Sequence, residues 1–78
     1  MEGYTLTEVR VIDTETQDTI KLYRNAHARQ MFDNSRKAIH CAPFQCVKTD
    51  AGLRYTCTAS SLGKFPATAL AECYFEVA

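Results

Sequence analysis

Histidine and cysteine are the side chains that most readily do nucleophilic, redox or metal chemistry at neutral pH. The chain holds two histidines and four cysteines. Three of these crowd into AIHCAPFQC, residues 38–46: His40, Cys41 and Cys46. His27, Cys57 and Cys73 stand apart. A structural zinc takes four ligands in compact pairs, typically with about two to four residues between members of a pair. Cys41 and Cys46 have four residues between them, but His40 adjoins Cys41, so both hardly reach one ion. A redox dithiol usually sits in Cys-x-x-Cys at a helix start, where the thiolate is favoured. Cys41 instead closes a helical pattern, and a helix C-terminus disfavours a thiolate. A cysteine nucleophile with His27 or His40 as its base stays formally open, with no third group to orient the base. Reduced cysteine is also a small hydrophobe and among the most buried residue types. The preferred reading is therefore of core cysteines, reduced and metal-free, in a non-enzymatic protein with no catalytic residue and no cofactor.

What must position these residues is a small scaffold. Seventy-eight residues make one α+β domain, 1–78, that buries only about 60% of its unfolded surface. A deep catalytic pocket is hard to build in so thin a core. In EVRVIDTETQDTIKLYR, Val9 and Val11 alternate with Glu8 and Arg10, and Ile20 and Leu22 with Thr19 and Lys21. Alternation of this kind marks two half-buried strands. Leu6 and Ile12 break the pattern, so the first strand is expected to contain a bulge. The connection Asp13–Asp18 lacks glycine and reads as a wide turn.

The period then changes. Ala28, Met31, Phe32, Ser35, Ala38 and Ile39 fall on one face of a helix. Asn25 is its N-cap candidate, and Pro43 should stop it near His40 or Cys41. FQCVKTDAGLRYTCTA reads as a second hairpin turning at Asp50-Ala51-Gly52, with Leu53, Tyr55, Cys57 and Ala59 facing inward. In the tail, Ala71, Cys73, Phe75 and Val77 alternate with Glu72, Tyr74 and Glu76. A strand is favoured there, although residues 66–77 also allow a short helix. The expected architecture is an antiparallel sheet of four to five strands with one helix packed on one face, in the order ββαβββ.

Nine basic residues balance nine acidic ones, which removes the strong positive charge typical of a nucleic-acid binder. The balance is uneven along the chain. Residues 1–23 hold five acidic residues against two basic, and residues 24–48 hold five basic against one acidic. Arg24, Arg29, Arg36 and Lys37 lie off the apolar helix stripe and form one candidate patch. Asp13, Glu15 and Asp18 in the first turn form a patch of opposite sign. Tyr23 and Tyr74 are expected on the open face of the sheet, and exposed tyrosines suit protein interfaces. Each of these sets is also what an ordinary solvated surface offers. No apolar run approaches the roughly 18 residues of a membrane span, and MEGYTLTEVR has no secretory features. A cytoplasmic location without membrane association is expected.

In size, in element order and in lacking catalytic motifs, the chain resembles the small inhibitor proteins of phages and mobile elements, anti-CRISPR proteins among them. That resemblance implies a stoichiometric binder acting in the host cytoplasm. It would block a host protein or nucleoprotein complex by charge and shape. It carries over no functional residue. The competing expectation is a small nucleic-acid-binding protein that uses the basic helix face.

Overall fold

Val9 and Val11 are wholly buried, whereas Glu8 and Arg10 between them are only partly covered. The first strand is therefore two-sided, and the rest of the fold is organised about its two sides. The computed structural model describes residues 3–34, 45–50, 52–59, 65–66 and 68–77. The elements run β1 (Tyr4–Ile12), β2 (Thr19–Arg24), α1 (Ala26–Asn34), β3 (Gln45–Thr49), β4 (Gly52–Thr58) and β5 (Leu70–Val77). Among the described residues they form one five-stranded sheet in the order β2-β1-β5-β4-β3, antiparallel throughout, with one helix. The expected element order is thus found, and the tail is a strand. That strand lies at the centre of the sheet, which explains why Ala71, Cys73 and Phe75 are all buried.

Two irregularities in β1 correct its hydrophobic pattern. Leu6 pairs with Phe75 and Glu8 with Tyr74, so Thr7 is an extra residue. The bulge turns Leu6 to the side of Val9, where it is buried. The Thr7 carbonyl accepts the Asn25 N–H at 2.6 Å, and its hydroxyl donates to the Tyr74 carbonyl at 3.1 Å. Asn25 has φ +57°, a left-handed conformation that asparagine tolerates better than most residues. Its carbonyl receives the Arg29 N–H at 3.1 Å. Helix α1 thus starts at the expected residue, folded back over the sheet from the end of β2.

The second irregularity reverses the expected faces of β2. Val11 pairs with Lys21 but Ile12 pairs with Thr19, leaving Ile20 as the extra residue. Tyr23, opposite Val9, therefore lies on the helix side, packs against the core and stacks on His27 with ring centroids 5.1 Å apart. The expectation of Tyr23 on the open face is overturned. Leu22 takes that place and is 41% exposed. The helix covers this edge strand at Tyr23, and the aromatic ring buries more apolar area there than a leucine side chain does.

The core is made of small side chains: Ala28, Cys57, Ala59, Ala69, Ala71 and Cys73 join Leu6, Val9, Val11 and Phe75. Cys57 and Cys73 hold the inward positions expected of them. Ala28 and Met31 of the helix stripe pack as foreseen. The expected continuation of the helix to His40 or Cys41 lies outside the described residues, as do Arg36, Lys37, His40 and Cys41. Gly52 is fixed by close approach: its φ is +150°, and a Cβ there would overlap the Phe75 carbonyl oxygen.

Candidate interaction surface

Opposite the helix, the pairing registers line up the outward residues of neighbouring strands. Arg24, Glu8, Tyr74, Arg54 and Val47 form one cross-strand row, and Leu22, Arg10, Glu72 and Thr56 form the next. Side chains of the two rows join in a continuous polar chain. Arg24 Nε lies 3.0 Å from Glu8 Oε1, and the other Glu8 oxygen contacts Arg10. The Arg10 guanidinium sits over the Tyr74 ring, 4.5 Å from its centroid, and its Nη1 donates to the Tyr74 hydroxyl at 3.2 Å. That hydroxyl donates to Glu72 Oε1 at 2.9 Å, and Glu72 Oε2 lies 3.6 Å from Arg54. Burial of the Tyr74 phenol, together with its hydrogen bond to and the charge of Glu72, raises its pKa above the ordinary value of 10.0. The phenol stays protonated and keeps its donor at neutral pH.

The members of this chain differ in height above the sheet. Glu8 and Glu72 are only 15% and 19% exposed, whereas Arg24, Arg10 and Arg54 are 64%, 42% and 33% exposed. Recessed carboxylates hold the more exposed guanidinium groups of Arg24 and Arg10, while Arg54 is half-buried, its Nε enclosed and unpartnered among the described residues. The apolar stems and rings of such a surface are already ordered, which lowers the entropy lost when a partner docks. The arrangement offers cations, one phenol and the neighbouring Leu22, with no nucleophile–base pair. Among the described residues no group of three or more His, Cys, Asp or Glu side chains is placed to hold a metal ion.

Of the residues singled out in the sequence, Arg24 and Tyr74 come together here. Arg29 is exposed on the helix beside Asn25, Thr5 and Thr7, away from that chain. Asp13, Glu15 and Asp18 remain at the far hairpin. There the Asp13 carboxylate accepts the backbone N–H of Glu15 at 2.8 Å and shapes the turn, while Gln17 takes φ +66°. Glu15 and Asp18 are exposed. Sequence reasoning missed Glu8, Arg10, Leu22, Arg54 and Glu72 as site residues. The outward alternation of β1, β4 and β5 was the signal for four of them, but it gains meaning only when β5 lies between β1 and β4.

No helix among the described residues is long and apolar enough to cross a membrane. No protein-family model matches the chain, and neither a curated protein nor a solved structure matches it.

Proposed function

We propose that this protein is a small non-enzymatic binding module that occupies a protein partner through the open face of its sheet. The observation that carries the reading is the ion-paired cluster of Arg24, Arg10 and Arg54 on two adjacent cross-strand rows, ordered by Tyr74 and two recessed glutamates beside exposed Leu22. Arginine and tyrosine are enriched among residues that dominate protein interfaces. The resemblance in size and element order to phage and mobile-element inhibitors is in keeping with this reading, under which a host protein or nucleoprotein complex is the partner that is blocked.

A nucleic-acid role fits less well. Affinity for phosphate backbones grows with the number of cations free to neutralise them. Here three arginines are shared between two glutamates, and the whole chain has no net charge.

The test is to isolate the partner from the native host, purify the complex and map it by hydrogen exchange. Protection concentrated in β1, β2 and β5, with loss of the complex on Leu22→Asp, is expected. Protection confined to α1, or salt-sensitive binding of DNA or RNA with no protein partner, would overturn the reading.

A further inference from the structure

The fractional exposures say more than that the face is an interface. A partner does not meet the chain's average charge but the groups that stand highest. Within the ion-paired chain those are the guanidinium groups of Arg24 and Arg10, with Glu8 and Glu72 beneath them and Arg54 half-buried. The exposed carboxylate of Glu76 stands on the same face, one row beyond Tyr74 on β5. From β2 to β4 the row crosses three strand spacings, about 14 Å, so the cations form a band across the strands and not a single point. Leu22 flanks the band in the row of Arg10 and Glu72.

Resting on the interface reading above, we infer that the partner presents an acidic protein segment that crosses the strands over Arg24, Arg10 and Arg54, with an apolar side chain on Leu22. Charge complementarity selects the sign of the partner surface. Guanidinium forks pair with carboxylates in two-point hydrogen bonds. The apolar neighbour favours a protein segment over a phosphate backbone, which has nothing to set against a leucine. One consequence is specific: if the target is a nucleoprotein complex, contact is made with an acidic part of its protein and not with its phosphate-binding groove. Cations lining such a groove would meet cations here. The opposite patch, exposed Glu15 and Asp18, lies at the β1–β2 hairpin and is not part of this contact.

The test uses the intact chain and a short glutamate-rich peptide as probe, with its glutamine counterpart and an oligothymidylate of equal length alongside. Nuclear magnetic resonance follows the arginine Nε–H groups, the Leu22 methyls and the Tyr74 ring. The glutamate peptide should shift the signals of Arg10, Arg24 and Arg54 and bind at least about tenfold more tightly than the glutamine peptide. Arg24→Glu, at the most exposed position, should remove that preference and leave the fold intact. Equal binding of the two peptides would overturn the inference, as would tighter binding of the oligothymidylate to the same groups. If the native complex still protects the open face while the acidic peptide leaves it untouched, the acidic partner is wrong and the interface stands.

Discussion

On the helix side of the sheet, Tyr23, Val9, Cys73 and Tyr55 form a row across four strands. One position along those strands, Arg24, Glu8, Tyr74 and Arg54 cross the same four strands on the other side. The first row packs: Val9 and Cys73 are buried, the helix approaches at Ala28, and Tyr55 meets Phe75 edge to face at 5.7 Å. The second row packs against nothing described and yet is as fully ordered, through ion pairs, a cation over a ring and a phenolic hydrogen bond. Exposed ion pairs contribute little to stability, typically about 0–1 kcal/mol each. Their arrangement is therefore not explained by what the fold needs. One face holds the molecule together, and the other holds a shape and a sign in readiness.

The comparison breaks most directly on the helix side. Phe75→Ala should cost about 3–5 kcal/mol. That is a large part of the roughly 4–12 kcal/mol expected for a chain of 78 residues. Urea unfolding should show partial or complete loss of the native state. Gly52→Ala comes next: it meets the Phe75 backbone and a φ of +150°, so a loss on the order of 2–3 kcal/mol is expected. A near-neutral result would mean that β4 and β5 are not paired as described.

How far the sequence foretold these faces depended on the strand. In β1, alternation and the misfit of Leu6 announced both the strand and its bulge, because one residue's displacement is visible as a break in period two. The turn at Asp50–Gly52 and the inward set Leu53, Tyr55, Cys57 and Ala59 were legible for the same local reason. Strand β2 was misread. Its apolar residues Ile20 and Leu22 suggested the buried side, but the extra residue at Ile20 reverses the strand and the helix buries Tyr23 instead. The polar chain was out of reach altogether. It needs the last strand to insert between the first and the fourth, and pairing between distant segments leaves no trace in local periodicity. His40 and Cys41 and the basic residues Arg36 and Lys37 lie outside the described residues.

On the open side the effects on stability should be small. Leu22→Asp replaces a side chain that is 41% exposed and should change stability by no more than about 0.5 kcal/mol. A loss comparable to Phe75→Ala would show that this face, too, is core. The smallest effect concerns pH. The folded-state pKa of Tyr74 is raised above 10.0, so the phenol contributes stability that is fully present below the unfolded value. That contribution is lost as pH rises through the folded one. The stability gap between the wild type and Tyr74→Phe should be constant at neutral pH and narrow in alkaline solution above about pH 10. Urea titrations across that range would check it, and a gap that widens would contradict the hydrogen-bonded phenol.

The division of labour between the faces is tested most directly by one doubly substituted chain, Leu22→Asp with Arg24→Glu, measured for melting temperature and for affinity to the purified native partner. The account predicts a melting temperature within a few degrees of the wild type and affinity weakened by more than about tenfold, or 1.4 kcal/mol. Unchanged affinity in a folded variant would contradict it and move the interface off the open face.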